Sequence, residues 1–274
     1  METLQIDMTF NLIQQIRLIH ALSESNYPIS IHPAEESKFD KLRQYFGIQF
    51  ASTNANSVDI TNQLTVSHAE PITAIGQIAR PLIFPHAITD YCRTLWKDRR
   101  NYRYSFQGLI TEKREKLLED WIADKLKKRF RLNTTFFKLK KKAFAQIGLD
   151  TAHKRRVGEL LLWESDRGRK FPIKAWDDSY FRVLANSKFV LCPSGDCIWS
   201  YRFFESALCG AIPIVEKDCS TYCGFRFLSM QDDVSAAEWS REAAEHNYKT
   251  CVELLTIPGE ILNAEIARML KSGG

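Results

Sequence analysis

The sequence lacks the features that mark membrane, secreted and nucleotide-hydrolysing proteins. No run approaches the ~20 apolar residues of a membrane helix, and no basic stretch followed by an apolar block stands at the N-terminus. Neither a GxxxxGKS/T phosphate loop nor a GxGxxG motif is present, which speaks against an ATPase or a dinucleotide dehydrogenase. We therefore expect a soluble, cytoplasmic chain without a membrane span.

The sequence also lacks a cysteine pattern that would hold a metal ion. Its seven cysteines are an odd number, form no paired CxxC motif and have no histidine at zinc-finger spacing. Cys92, Cys192, Cys209 and Cys251 lie within apolar patterns, where cysteine behaves as a small buried hydrophobe. We expect a reducing compartment and no structural metal.

Charge of one sign is only slightly in excess. The formal net charge of +5 and the pI of about 8.8 favour an anionic partner without naming it. Many of the cations lie between Lys125 and Arg156, a stretch that fits either a solvated helix face with a lysine-rich surface loop or a nucleic-acid-binding surface. In the second case three nearby aromatics could stack on bases, namely Phe130, Phe136 and Phe137.

The order of apolar patterns predicts an α/β protein with two domains. With 274 residues and 45% hydrophobic content, the chain can bury a substantial core. Helical and strand patterns alternate up to about residue 98, and a clearer series of strands and helices follows from residue 102. This alternation predicts parallel crossovers and a doubly wound sheet. We assign residues 1–98 to an acceptor-side α/β domain and residues 99–274 to a donor-binding domain.

The segment from Ser187 to Val215 contains the most informative motif. An apolar strand ends at Cys192, and the following Pro-Ser-Gly turns the chain at the carboxyl end of the sheet, where open α/β folds bind ligands. Ser200 can cap the next helix, whose free N–H groups and dipole favour an anion such as a diphosphate. Arg202 would add a full positive charge at the same place.

Glu205 lies one helical turn beyond Arg202. A carboxylate in that position can accept hydrogen bonds from the two hydroxyls of a ribose. The alternative is a local surface ion pair between Arg202 and Glu205, with the Pro-Ser-Gly sequence serving only as a turn.

Taken together, this segment resembles the C-terminal signature of the exostosin-like glycosyltransferases, family 47. The signature is a strand, Cys-Pro-x-Gly, a spacer, Ser-x-Arg, then Glu-Ala/Ser and Gly-x-Ile/Val-Pro. It is matched here at Cys192, Pro193, Gly195, Ser200, Arg202, Glu205, Gly210 and Pro213.

A second match begins at Tyr104 and resembles the strand, Phe-x-Gly and Arg-containing helix that open the donor domain of the family. Arg114 would stand in the first turn of this helix, where a cation is unfavourable unless it meets an anion. Compensation by Glu112 and Glu115 is the alternative. The apolar residues 81–85 also look like the family's strand before the donor domain, so the resemblance covers about residues 82–215.

The resemblance implies a GT-B-like fold, in which two Rossmann-like domains face a cleft, and an inverting, metal-independent transfer. The donor would be a UDP-sugar, for example UDP-xylose, UDP-glucuronate or UDP-N-acetylglucosamine, and the acceptor a glycan or glycoside hydroxyl. Retaining enzymes of this fold often carry a second glutamate eight positions before the ribose-binding one, where this chain has Cys197. The donor-binding residues would be Gly108, Arg114, Ser194, Gly195, Ser200, Tyr201, Arg202 and Glu205.

An inverting transfer also needs a general base on the acceptor side. Asp59 and Glu70 are the candidates, because both lie in predicted loops of the N-terminal part. The remaining candidates are Glu35, His32, His68 and His86. A solvated loop carboxylate is the alternative interpretation of each acid, and an inactive sugar-binding module is the alternative for the whole chain.

Two acidic pairs could suggest a metal-dependent fold of another type. Asp177-Asp178 and Asp232-Asp233 each precede a helical pattern, so we interpret both as helix caps. No divalent metal is therefore expected. A nucleic-acid partner is not expected either.

Overall fold

The computed structural model describes residues 2–53, 55–132, 139, 143, 153–164 and 176–272. The chain divides into two compact units. The first holds Met1–Tyr91, Phe171–Asp177 and Lys249–Gly274, and the second holds Cys92–Lys170 and Asp178–Tyr248.

The first unit begins with a small parallel sheet. Its elements in chain order are β1 (Thr3–Ile6), α1 (Ile13–Leu22), β2 (Ile29–Ile31), α2 (Pro33–Glu36), α3 (Asp40–Phe46) and β3 (Ser57–Asp59). The strand order is β2-β1-β3, and both pairings are parallel. Every residue of β2 is buried, as is expected of a strand in a parallel sheet covered by helices.

An antiparallel sheet and a helix follow. The strands are β4 (Leu64–Ser67), β5 (Ile72–Ile75) and β6 (Ile78–Arg80), paired in sequence order, and α4 is His86–Thr94. The strand expected at residues 81–85 is not formed. Pro81 and Pro85 cannot donate to a ladder, and the buried segment instead places the N–H of Phe84 2.7 Å from the carbonyl oxygen of Leu255.

The second unit contains a six-stranded sheet of order β12-β11-β10-β7-β9-β8. Its elements are β7 (Tyr102–Gly108), α5 (Glu112–Lys125), β8 (His153–Val157), β9 (Leu160–Glu164), α6 (Asp178–Ala185), β10 (Ser187–Cys192), α7 (Tyr201–Leu208), β11 (Ile212–Val215) and β12 (Leu228–Ser229). Only the β8–β9 pairing is antiparallel. The predicted α/β class with a parallel sheet is confirmed. The facing of two domains across a cleft stays a prediction.

One predicted strand proves to be a hairpin. The apolar run of residues 157–163 predicts one continuous strand, but Gly158 has a φ of 57° and the chain reverses between Val157 and Leu160. Glycine adopts this backbone conformation without steric cost, so a two-residue turn forms inside the apolar run.

Two helices complete the chain, α8 (Arg241–Leu255) and α9 (Gly259–Ser272). The predicted donor domain included both, whereas the structure places α9 and the part of α8 from Lys249 onward in the first unit. Among the contacts that join α9 to this unit is the hydrogen bond that Glu265 accepts from the N–H of Gln77 in the β5–β6 turn. Among the described residues, no helix is long and apolar enough to cross a membrane.

One hydrophobic core cluster of the second unit lies between the sheet and α5. Tyr104 and Phe106 on β7 pack with Leu118 and Trp121 on α5 and with Phe189 on β10. Because side chains alternate along a strand, Ser105 and Gln107 point to the opposite face of β7. This packing fixes the position of the last residues of β7. In the sheet, β7 lies between β10 and β9, and the chain connections run to opposite sides from it.

Candidate functional site

The candidate site is built at the carboxyl ends of β7 and β10. The chain leaves β7 toward β8 and β9 on one side and returns to β10 on the other, so β7 lies at a topological switch point. Open α/β sheets bind ligands in the crevice at such a point. Gly108 ends β7 with a φ of 152°, and a Cβ atom there would collide with Nη2 of Arg202. The absence of a side chain therefore makes room for that guanidinium.

Helix α7 begins at the predicted cap. The side-chain oxygen of Ser200 accepts a hydrogen bond from the N–H of Arg202 at 3.3 Å, as an N-cap does. The N–H of Ser200 in turn donates to the Tyr222 hydroxyl at 2.8 Å. The Tyr222 ring stacks on Phe203 with centroids 3.8 Å apart, and burial raises the pKa of Tyr222. Tyr222 thus holds the start of α7, a role that no local sequence signal indicated.

Arg202 is buried beneath the end of β7, with 8% of its surface exposed. Its Nε donates to the carbonyl oxygen of Gln107 at 2.5 Å, and its guanidinium lies 4.6 Å from the centre of the Phe106 ring. Its Nη1 is buried and has no hydrogen-bond partner among the described residues. Arg202 is therefore a fixed cation with unused donor capacity.

Arg114 approaches the same place from the start of α5. Thr111 caps this helix, and the guanidinium donates to the carbonyl oxygens of Ser194 and Leu109, each at 3.0 Å. Burial and, to a smaller extent, the positive charge of Arg202 lower the pKa of Arg114 to about 10. A pKa near 10 still leaves the group charged at neutral pH. The structure thus brings two of the predicted phosphate contacts together.

The turn after β10 is held by a residue that the sequence analysis did not identify. A carboxylate oxygen of Glu216 accepts the N–H of Ser194 at 3.0 Å, and the Ser194 hydroxyl donates to the carbonyl oxygen of Ile198 at 3.2 Å. Gly195 closes the turn by donating to the Cys197 carbonyl oxygen at 3.0 Å. A Cβ at Gly195 would approach Nη2 of Arg114, so glycine permits the close contact.

Glu205 lies inside the unit, with 2% of its surface exposed. Its Oε2 accepts a hydrogen bond from the Tyr180 hydroxyl on α6 at 2.6 Å. A surface ion pair between Arg202 and Glu205, the alternative interpretation, is wrong because both side chains are buried. Tyr201, also predicted at the site, is half-buried, with its ring centre 5.1 Å from that of Trp199.

The two predicted bases lie in the first unit. Asp59 ends β3 at the carboxyl edge of its sheet, is exposed and accepts the N–H of Thr61 at 2.8 Å. Glu70 is exposed in the β4–β5 turn. Each role as a base stays a prediction.

The other candidates for the base lie in the same unit and have local partners. Glu35 accepts from the Phe10 N–H at 2.7 Å and from Lys38 at 2.6 Å. His32 caps α2, one ring nitrogen of His68 lies 3.2 Å from Gln14, and one of His86 lies 3.1 Å from the Ile257 carbonyl oxygen.

Asp177-Asp178 stands at the start of a helix, as the capping interpretation expects, but for Asp232-Asp233 this interpretation is wrong, because the next helix begins only at Arg241. Asp178 opens α6 and pairs with Arg182 at 2.5 Å, while Asp232 and Asp233 accept hydrogen bonds from Ser229 and Ser235 in a turn. Among the described residues no group of three or more His, Cys, Asp or Glu is arranged to hold a metal ion. The metal requirement stays a prediction.

The basic stretch lies partly outside the described residues, including Phe136 and Phe137. Of its described cations, Lys125 and Lys127 pair with Asp124, and Arg131 pairs with Glu119. The burial of Cys92, Cys192, Cys209 and Cys251 is confirmed.

Fold and site together define an α/β protein with two guanidinium groups beside a capped helix start at a sheet switch point. The family model of the exostosin GT47 domain matches residues 46–227, and the chain belongs to this glycosyltransferase family. A probable glucuronosyltransferase of Oryza sativa subsp. japonica is 39% identical over 67 residues, which cover 24% of this chain. The matched part is 16% of that relative's length.

Two solved structures resemble the chain over most of its length. AviGT4, a glycosyltransferase involved in avilamycin A biosynthesis, is 11% identical, with a TM-score of 0.46 over 98% of this chain and 96% of its own. HepE of Anabaena, solved in complex with UDP-glucose, is 12% identical, with a TM-score of 0.40 over 98% of this chain and 78% of its own.

Proposed function

We propose that this chain transfers a sugar from a UDP-sugar to a glycan hydroxyl, with inversion at the anomeric carbon and without a divalent metal. The observation that carries the proposal is a pair of neighbouring guanidinium groups, the half-buried Arg114 and the buried Arg202, fixed by backbone carbonyl oxygens beside the capped start of α7. Membership of the exostosin GT47 family gives the class of reaction.

Two cations at one place, one buried and one half-buried, are unfavourable without an anion. Each loses hydration on burial, and each raises the energy of the other, as the lowered pKa of Arg114 reflects. Carbonyl oxygens orient the guanidinium groups but carry only partial charge. A diphosphate would supply the missing negative charge and accept the unused donor of Arg202. The N-terminal dipole of α7 acts in the same direction.

In this proposal the site stabilises the departing nucleotide. Negative charge grows on the diphosphate as the bond to the sugar breaks, and fixed cations and N–H groups stabilise that charge without rearranging. Arg202, Ser200, Ser194 and Arg114 would take this role in place of a metal ion. Glu205 would accept the ribose hydroxyls, with Tyr180 fixing the orientation of its carboxylate.

The acceptor side would supply the base. Inversion requires that a carboxylate or imidazole take the proton of the acceptor hydroxyl while that hydroxyl attacks from the face opposite the leaving UDP. Asp59 and Glu70 are the proposed bases. Both are exposed, so either can be replaced without disturbing a core.

Nucleotide binding and product stereochemistry test the proposal directly. UDP and a panel of UDP-sugars are titrated calorimetrically, release of UDP is measured with a panel of glycan acceptors, and the anomeric configuration of the product is determined by NMR. We expect UDP to bind and the product to be inverted. Absence of UDP binding together with polynucleotide binding would favour a nucleic-acid-binding protein, and UDP-sugar binding without turnover on any acceptor would favour an inactive module.

A further inference from the structure

A cavity of about 570 Å³ lies within the first unit, on the sheet edge opposite Asp59. It is lined by the segment that leads from α1 into β2 and by residues 47–51, which follow α3. The Ala51 N–H donates to the carbonyl oxygen of Ile29, the first residue of β2, at 2.7 Å. The cavity therefore opens beside the amino end of β2, whereas reaction sites of open α/β sheets lie at the carboxyl ends.

The cavity is large enough for a ligand and has the chemistry of an uncharged one. Ligand pockets usually measure ~300–1,000 Å³ and combine aromatic walls with a few polar groups. Here the aromatic side chains are Phe46, Phe50 and Tyr27, and the described lining contains no lysine or arginine. Nothing in that lining would balance a phosphate or a carboxylate on the ligand.

His20 gives the cavity an unsatisfied polar group. His20 is among the residues that line the cavity, is 2% exposed, and its buried Nδ1 has no hydrogen-bond partner among the described residues. Burial, aided by the charge of Arg17, lowers the pKa of His20 to about 3, so the ring is neutral near pH 7. A neutral imidazole both donates and accepts one hydrogen bond, which is also what a hydroxyl group does.

The one carboxylate in the lining is already used. Glu24 accepts the N–H groups of His86 and Ala87 at 2.9 and 2.7 Å and so caps the start of α4. The polar groups left for a ligand include His20, the exposed Gln49 and the exposed Asn26. A hydrocarbon would leave these groups unpaired, and an anion would face the Glu24 carboxylate without a cation.

We propose that this cavity binds a neutral sugar residue of a glycan. A pyranose presents apolar C–H faces to aromatic rings and hydroxyl groups to amide and imidazole side chains, which matches both parts of the lining. The choice of a saccharide among uncharged polar ligands rests on the proposed function. The cavity lies in the first unit, whereas the candidate donor residues lie in the second.

Calorimetric titration of the full chain with cellohexaose, xylohexaose and mannohexaose tests the proposal, with a galacturonate hexamer as the charged comparison. We expect millimolar or tighter binding of at least one neutral probe and weaker binding of the charged one. His20→Phe removes the buried hydrogen-bonding group and should weaken binding about tenfold, the usual effect of one lost hydrogen bond. Gln49→Ala changes an exposed residue and should weaken it several-fold in a chain that folds normally.

Tyr45→Ala is the matched control, because Tyr45 is an exposed aromatic residue on α3 that does not line the cavity. Its saccharide affinity should equal that of the wild type. The proposal is overturned if no neutral probe binds at millimolar concentration, if the charged probe binds better, or if Gln49→Ala and a folded His20→Phe variant both bind normally. UDP titration of the same variants separates the two proposals, because His20→Phe should leave UDP affinity unchanged even when saccharide affinity falls.

Discussion

Replacement of Arg202 by methionine separates a ligand-binding role from a structural one. Methionine keeps an unbranched side chain and a good helix former but removes the charge and all donors. If Arg202 binds a diphosphate, its replacement should weaken UDP binding while the protein remains folded. If Arg202 exists only to tie β7 to α7, the fold itself should weaken.

The structure sets the magnitudes. At least one charge-assisted hydrogen bond and the attraction of a full charge are lost, so UDP affinity should fall by about 2 to 4 kcal/mol, or roughly 30- to 700-fold. The free energy of unfolding loses the bond to the Gln107 carbonyl oxygen and the contact with Phe106. The substitution also removes the penalty of burying a cation beside Arg114, which stabilises the folded state. Because the lost contacts and the removed penalty act in opposite directions, we expect the free energy of unfolding to change by less than ~2 kcal/mol.

Calorimetry with UDP and urea unfolding measure the two quantities on the same preparation. Arg226→Met is the control, since Arg226 is an exposed cation paired with Glu242 in the same unit and should leave UDP affinity unchanged. Arg202→Lys should fall between the wild type and the methionine variant, because it keeps charge without the planar fork. Unchanged UDP affinity in a folded Arg202→Met variant would refute the assignment.

Four further outcomes are expected. Gly108→Ala should displace the Arg202 guanidinium and lower UDP affinity about tenfold or more, at a stability cost of roughly 1 kcal/mol for the unfavourable φ; equal UDP titrations would contradict this. A chelator should leave most of the transfer rate, and complete loss restored by manganese would disprove metal independence. Asp59→Asn or Glu70→Gln should lower turnover by about 10² or more with UDP affinity intact, and full activity of both would exclude them as bases. Because the pKa of His20 falls from 6.5 to about 3 on folding, the unfolded chain binds more protons between these values, so stability is lost as pH falls below 6.5. Urea unfolding should show that the loss from pH 7 to pH 5 is about 2 kcal/mol larger in the wild type than in His20→Phe, and equal losses would contradict the neutral ring.

Much of the donor-side framework could be predicted because its signals are local. The capping hydroxyl of Ser200, the strand that ends at Cys192 and the glycine that ends α7 at position 210 are each set by neighbours within a few residues. The hairpin at Gly158 was missed because a single glycine within an apolar run does not distinguish a bulge, a bend and a turn. A buried extended segment and a paired strand have the same apolar sequence pattern. For this reason the sequence predicted a strand at residues 81–85, where the structure has none.

The contacts that give the site its chemistry are not local, and periodicity does not specify them. Arg114 reaches Ser194 across 80 residues of sequence, Arg202 reaches Gln107 across 95, and Tyr222 reaches back to Ser200 across 22. On α7 every residue from Arg202 to Leu208 is buried, so a periodic pattern cannot assign the polar residues of this helix to a solvent face. Glu205 is consequently an interior carboxylate bound by Tyr180, and burying such a group without a dedicated donor is costly. A polar residue on a helix that is apolar all round is thus better interpreted as a buried functional or network group than as part of a solvated face.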